Sequence, residues 1–400
     1  MIATFEPCNL SGIIDAPPSK SMAHRYLIGA ALSKENCVLS GIDYSEDILA
    51  SMDCLTALGA KISKDGDKVS IDPKEFMQVE HSVLECRESG STLRFFIPLA
   101  LCLGKPVTLK GSHRLLERPL DVYEKLCNEQ GFQFEKEADS VTVCGKLKSG
   151  EYKLRGDISS QFITGLLFAL VYLNEDAVIE ILPPFESRSY IDLTLEALKA
   201  FGAKVAFVSE FRIEVKKSHL CSYHGRIEGD YSNAAFLDAF NYLDSKVTVK
   251  NLNSESLQGD RIYREYFKQI SEGIPTLDIS DCPDLGPILF ALAALKNGAV
   301  FTGTDRLKAK ESDRGAAMQE ELKKLGGNLI FGSNSITVPK QELMFQGENL
   351  YGHNDHRIVM AMSVILSKTG GSIEGAEAIR KSYPGFFENI QRLGAKVEVK

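Results

Sequence analysis

Short polar clusters open several apolar runs of this 400-residue chain, and they carry the side chains best able to hold anions. "PSKSMAHR" supplies Lys20, Ser21 and Arg25, "SGSTLRFF" supplies Gly90 and Arg94, and "LLERPLD" supplies Arg118. Farther along, "GDISSQFITGLL" adds Ser159, Ser160 and Gln161, "SRSYIDLT" adds Ser187 and Tyr190, and "PDLGPILF" adds Asp284. The last third contributes Lys310, Glu311 and Arg314 from "KAKESDR", Asp355, His356 and Arg357 from "NDHR", and Lys381 from "KSYPGFFENI". Arginine and lysine beside hydroxyls, with a glycine that lets backbone approach closely, suit phosphate and carboxylate groups. A small, multiply anionic ligand is therefore expected. Asp284 and Glu311 are carboxylates set among cations, where the base form is favoured. Glu311, flanked by Lys310 and Arg314, can still shuttle a proton if the ligand's own charges compensate those cations.

The elements that must position these residues follow a repeat. Taking Lys20, Gly90, Ser159, Asp230, Asp284 and Asp355 as markers, successive starts are about 70 residues apart, except for one interval near 54. Each start precedes an apolar run of helical length. Between them lie strand-like segments such as "KVSIDP", "SVTVCG", "AVIEIL", "FRIEVK" and "SITVP", and amphipathic helices such as "IDLTLEALKAFGA" and "AAMQEELKKLGG". Those second helices end in glycine, a left-handed stop signal. Six copies of one unit, three in each half of the molecule, is the economical reading. Taken singly, the starts are explained by capping, which stabilises by about 1 kcal/mol each. Likewise "KAKESDR" alone fits an exposed helix with ion pairs, and "NDHR" alone a capped turn. Together they point further, because cations at helix N-termini oppose the helix dipole unless an anion sits there.

Composition narrows the function classes. The length allows two cores, and 44% hydrophobic with 25% charged residues is ordinary for a globular protein. A formal net charge of −8 disfavours nucleic acid as a partner, so any anion must be held by a local cluster. The opening "MIATFEPCNLSG" lacks a signal-peptide pattern and no window reaches a membrane-spanning length, so no membrane association is expected. Nine scattered cysteines without a Cys-x-x-Cys pair suggest neither a metal site nor a disulfide framework, and fit a reducing cytoplasm.

The motifs quoted above occur in the order found in EPSP synthases (3-phosphoshikimate 1-carboxyvinyltransferases), and the chain resembles that family from Lys20 to Lys381. The resemblance implies a two-domain inside-out α/β barrel of six βαβαββ units, three per domain. It places residues 17–227 in one domain and 1–16 with 228–400 in the other, with the active site in the cleft between them. It also implies transfer of the enolpyruvyl group of phosphoenolpyruvate to the 5-hydroxyl of shikimate 3-phosphate, releasing phosphate. Lys20, Ser21, Arg25, Ser159, Ser160, Gln161, Ser187, Tyr190, Asp284 and Lys310 would contact shikimate 3-phosphate. Lys20, Gly90, Arg118, Gln161, Arg314, His356, Arg357 and Lys381 would contact phosphoenolpyruvate. Asp284 would be the base on the 5-hydroxyl, Glu311 would serve the methyl carbon, and Lys20 would assist. No metal or organic cofactor is expected, since phosphate is already a competent leaving group, and a cytoplasmic monomer is expected.

Two departures from the family pattern stand out. Glu88, Ser89, Gly90 and Ser91 stand where many relatives have Asn-Ala-Gly-Thr, and Arg306 stands where some have asparagine. The nearest alternative is the sister transferase acting on UDP-N-acetylglucosamine. That family has Lys-Asn at the first helix start and a mobile-loop cysteine, whereas this chain has Lys20-Ser21 and no cysteine between Cys102 and Cys127. An anion-binding homologue without catalysis is the other, and the joint presence of Asp284, Glu311 and Lys20 argues against it.

Overall fold

The 70-residue spacing corresponds to strand, buried helix, strand, amphipathic helix and hairpin, read in a computed structural model that describes residues 1–80 and 82–400. The chain begins with β1 (Ile2–Phe5) and β2 (Ser11–Asp15), then α1 (Lys20–Leu32), β3 (Cys37–Ser40), α2 (Glu46–Ala57), β4 (Lys61–Asp65) and β5 (Lys68–Asp72). The next repeat comprises β6 (Ser82–Glu85), α3 (Gly90–Leu101), β7 (Val107–Lys110), short α4 (His113–Glu117), α5 (Asp121–Gln130), β8 (Gln133–Lys136) and β9 (Ser140–Cys144). The third comprises β10 (Glu151–Arg155), α6 (Ser160–Leu173), β11 (Ala177–Leu182), α7 (Arg188–Ala200), β12 (Lys204–Ser209) and β13 (Arg212–Lys216). The first repeat lacks a first strand of its own, and β14 (His224–Arg226) supplies it by pairing parallel to β3. The three sheets share one order: β14-β3-β5-β4, β6-β7-β9-β8 and β10-β11-β13-β12.

The remaining three repeats are α8 (Tyr231–Ala239), β15 (Lys246–Lys250) and α9 (Tyr263–Glu272); then β16 (Thr276–Asp278), α10 (Gly286–Leu295), β17 (Gly298–Thr302), α11 (Arg314–Lys324), β18 (Ile330–Gly332) and β19 (Ser335–Pro339); then β20 (Leu350–Tyr351), α12 (His356–Thr369), β21 (Gly371–Glu374), α13 (Phe386–Arg392) and β22 (Val397–Val399). The last two keep the same order, β16-β17-β19-β18 and β20-β21-β1-β22, with β1 filling the final hairpin. The fourth repeat is the exception to the expected βαβαββ pattern. Its sheet is only β15 with β2, and α9 leads to β16 without a hairpin, which accounts for the 54-residue interval.

The chain divides into two units, Pro18–Glu228 and Met1–Pro17 with Gly229–Lys400, each with its own apolar core. In the first, α1, α3 and α6 are buried along nearly their whole length; in the second, α8, α10 and α12 are. Helices apolar all round, such as "GPILFALAAL", have to lie inside. The second helices stop as their glycines predict. After α7, Gly202 adopts φ +85° and the Ala203 N–H bonds back to the Leu198 carbonyl, and Gly326 and Gly327 repeat this after α11. No helix among the described residues is long and apolar enough to cross a membrane.

One contact in the first unit sets the spacing of two site helices. A side chain at Gly165 of α6 would collide with the Arg94 carbonyl of α3, so the two backbones meet there. The buried Tyr123 hydroxyl lies 2.9 Å from the Arg94 carbonyl and 2.8 Å from the Phe162 carbonyl, tying the same helices together.

Candidate active site

In the Pro18–Glu228 unit, the site residues gather at the N-termini of the three buried helices and at the start of α7. Ser19 caps α1 by accepting the Met22 N–H, which leaves Lys20 as the first helical residue. The Lys20 Nζ donates to Asp47 Oδ2 at 2.7 Å, from the second residue of α2. Arg25, 3% exposed, donates Nε to Thr194 Oγ1 at 2.9 Å, one terminal nitrogen to the Ser21 carbonyl at 2.7 Å and the other to the Tyr190 carbonyl at 2.9 Å. Burial lowers its guanidinium to about 10, partly opposed by Tyr190, so it stays charged at neutral pH. That fork links Ser21 to Tyr190. Ser187, buried with a left-handed backbone (φ +53°), precedes α7.

Ser159 caps α6 by accepting the Gln161 N–H, and Ser160 is its buried first residue. The Gln161 side chain accepts from Arg94 at 2.7 Å and donates to Ser91 Oγ at 2.9 Å, joining the starts of α3 and α6. Gly90 opens α3, and a Cβ there would lie 2.6–2.9 Å from the Arg118 guanidinium. Arg118 is 7% exposed and its Nε is buried without a hydrogen-bond partner. A guanidinium against a helix N-terminus, with a donor unused, is suited to phosphate.

The second unit gathers carboxylates around one arginine. Arg314, the first residue of α11 and 1% exposed, donates to Asp355 Oδ2 at 2.9 Å, Asp284 Oδ1 at 2.7 Å and Glu311 Oε2 at 2.8 Å. Lys310 Nζ lies 3.0 Å from the same Asp284 oxygen, and Arg357 lies 3.8 Å from the other. Burial would raise the Asp284 carboxyl, but Lys310, Arg314 and Arg357 hold it well below its ordinary value, so it is a carboxylate at neutral pH. Burial lowers Lys310, as do Arg314 and Arg306, against the pull of Asp284. Asp355 caps α12 and accepts from Ser312 at 3.0 Å. His356 and Arg357 are the first two residues of that helix and are buried. Arg357 donates to Asn233 Oδ1 at 3.2 Å and packs over the Phe236 ring, while its Nε is buried without a partner. Lys381 Nζ donates to the Asn354 carbonyl at 2.6 Å.

This geometry corrects the electrostatic expectation. Lys20 and Arg314 do not wait uncompensated for a ligand, because Asp47 and three carboxylates already neutralise them. At Lys20 and Arg314, an anion would have to exchange with these resident carboxylates. Asp47, Asn233 and Thr194 were missed in the sequence: they lie 27, 124 and 169 positions from the cations they serve, and only the fold brings them together. The same ion cluster yields a stability prediction. Arg314→Met should destabilise the protein by about 3 kcal/mol in urea titration, since it leaves Asp355, 0% exposed, without its cation. A loss below about 1 kcal/mol would contradict that.

Comparison with known proteins agrees with the motif order. The family model for EPSP synthase (3-phosphoshikimate 1-carboxyvinyltransferase) matches residues 6–390. A 3-phosphoshikimate 1-carboxyvinyltransferase of Clostridium kluyveri is 40% identical over 418 aligned positions, covering 99% of this chain and 98% of its own. One from Clostridium perfringens is 37% identical, covering 97% of each. Among solved structures, an EPSP synthase from Acinetobacter baumannii superposes with a TM-score of 0.78 at 22% identity, covering 100% of this chain and 99% of its own, and so shares the fold. Matched over nearly its whole length, the chain belongs to the EPSP synthase family.

Proposed function

We propose that the protein transfers the enolpyruvyl group of phosphoenolpyruvate to the 5-hydroxyl of shikimate 3-phosphate, with release of phosphate. The observation that carries this reading is the pair of carboxylates, Asp284 and Glu311, held by a single guanidinium beside Lys310 and Arg357. Such a cluster can accept a proton from a hydroxyl and deliver one to carbon while cations hold the anionic reactants.

The proposed roles follow from the chemistry of each group. The α3 N-terminus at Gly90 with Arg118 suits the phosphate of phosphoenolpyruvate, and Arg314 with Arg357 suits its carboxylate. Lys20, Gln161, His356 and Lys381 complete that set. Ser21, Arg25, Ser159, Ser160, Ser187, Tyr190 and Lys310 hold shikimate 3-phosphate, with Lys20, Gln161 and Asp284 between the ligands. Each of the two units carries part of this residue set.

In the addition step, Asp284 takes the 5-hydroxyl proton as the oxygen bonds to C2 of phosphoenolpyruvate, and Glu311 gives a proton to C3, making a methyl group. In the elimination step, Glu311 removes a methyl proton, the C–O bond to phosphate breaks, and the double bond re-forms. The hydroxyl proton leaves with phosphate or solvent, and Lys20 offsets charge on the departing oxygen. No redox change occurs, and the scheme asks for neither metal nor organic cofactor. We place the protein in the cytoplasm as a monomer; nine free thiols support a reducing compartment.

Purified protein incubated with both substrates should release phosphate in proportion to enolpyruvyl product. No release, with UDP-N-acetylglucosamine accepted instead, would overturn the reading. Gly90→Ala provides a finer check: its methyl group must displace the Arg118 guanidinium. The KM for phosphoenolpyruvate should rise roughly tenfold, the factor lost with one charge-assisted hydrogen bond, while that for shikimate 3-phosphate stays within about twofold. Equal rises in both would place Gly90 outside the phosphoenolpyruvate pocket.

A further inference from the structure

Glu321 lies seven residues, two turns, beyond Arg314 on α11, and its side chain is 0% exposed. It accepts three donors: His353 Nε2 at 2.6 Å, the Tyr351 N–H at 2.7 Å and Lys324 Nζ at 3.0 Å. Of these, Tyr351 ends β20 and His353 lies in the segment that leads from it into α12. That segment is unusual in its backbone: His353 and Asn354, neither of them glycine, are consecutive residues with φ of +49° and +50°. Histidine and asparagine tolerate this conformation better than most side-chain-bearing residues, but as single residues, and two in succession carry a backbone cost that the surrounding contacts offset. The chain around them is tied on both sides, since the Gly352 N–H bonds to the Glu374 carbonyl and the Asp355 N–H to the Gly352 carbonyl.

What the turn presents is site machinery. The Asn354 carbonyl receives Lys381, Asp355 receives Arg314 and Ser312, and His356 and Arg357 follow at once. We infer that Glu321 and His353 are a positioning pair that holds this left-handed turn and thereby sets Arg357 and Lys381 toward phosphoenolpyruvate, an inference that rests on the function proposed above. The pair acts through one rigid helix. α11 grips Asp355 with Arg314 at its start and the preceding turn with Glu321 farther on, so the entry to α12 is fixed at two points. Burial would raise the Glu321 carboxyl, but His353, the Tyr351 N–H and Lys324 hold it below its ordinary value, consistent with a charged acceptor. Glu320 stands nearby, giving a Glu-Glu-His group, but the Lys324 ammonium already serves as the cation there. The cluster is thus a clamp rather than a metal site.

The test is initial-rate kinetics with each substrate varied, on wild type, His353→Leu and His353→Gln. Glutamine can offer an amide N–H near the place of Nε2, whereas leucine cannot. His353→Leu should raise the KM for phosphoenolpyruvate roughly tenfold, leave that for shikimate 3-phosphate within about twofold, and be largely rescued in His353→Gln. Should the leucine variant not fold, Glu321→Gln should show the same selective rise. A His353→Leu enzyme with unchanged KM, equal rises for both substrates, or a glutamine variant as impaired as leucine would each overturn the inference alone. Wild-type protein that releases no phosphate would instead overturn the functional reading beneath it.

Discussion

Asp284→Asn should lower kcat by about 10⁴-fold while leaving the binding of anionic ligands intact or tighter, the upper end of what one general base contributes. The asymmetry comes from the position of the carboxylate. Asp284 is bonded to Lys310 and Arg314 and sits 3.8 Å from Arg357. Asparagine keeps the shape and one acceptor oxygen, but it cannot take the 5-hydroxyl proton and removes a negative charge from among three cations. An incoming phosphate or carboxylate then meets less competition. Phosphate-release assays with calorimetric titration of shikimate 3-phosphate separate the two effects. A kcat within tenfold of wild type would remove Asp284 as the base.

The same residue has a pH signature. Its folded-state carboxyl is depressed, so it contributes stability that is fully present above its unfolded value, about 3.9, and is lost as pH falls through the lower folded value. Denaturation midpoints of the asparagine variant should therefore fall less steeply than wild type below about pH 4. Above that range the base form is already complete, so Asp284 adds no acid limb to the rate near neutrality.

Much of the fold was legible because each repeat advertises its turning points. Ser19, Ser89, Ser159, Asp230 and Asp355 each accept a backbone N–H with their side chains at a buried helix start, and short polar residues before apolar runs are what such ends need. The α10 start differs, since a 3₁₀ turn through Pro283–Leu285 leads into it without a side-chain cap. What could not be read was the borrowing of strands. β1 completes the last sheet from the far end of the chain, and β14 completes the first after more than 180 intervening residues. Alternation reports which face of a strand is buried, not which distant strand it pairs with.

The site divides along a similar line. Lys20, Arg314 and Arg357 could be picked out because a cation at or near a helix start is unusual. Their partners could not, because a carboxylate such as Asp47, at the start of an amphipathic helix, looks like any favourable N-terminal acid. Charge alone therefore suggested cations at odds with their helix dipoles until an anion arrives, whereas the folded chain supplies internal counter-ions. That changes the expected physics of binding from filling a cationic void to exchanging one set of carboxylates for another.

Exchange at Arg314 bears on the proton-donor role proposed for Glu311. Its Oε2 is 2.8 Å from Arg314, the guanidinium proposed to receive the carboxylate of phosphoenolpyruvate. On the proposed scheme, that carboxylate and Glu311 share the Arg314 guanidinium while Glu311 gives its proton to the vinyl carbon. Glu311→Gln should lower kcat about 10³-fold, and the KM for phosphoenolpyruvate should fall rather than rise because glutamine competes less for Arg314. The isotope readout is specific. In heavy water, wild type should wash deuterium into the vinyl group through the transient methyl, whereas the glutamine variant should show no exchange at comparable turnover. Exchange at the wild-type ratio to turnover would assign carbon protonation to another residue, with Lys20 next in line.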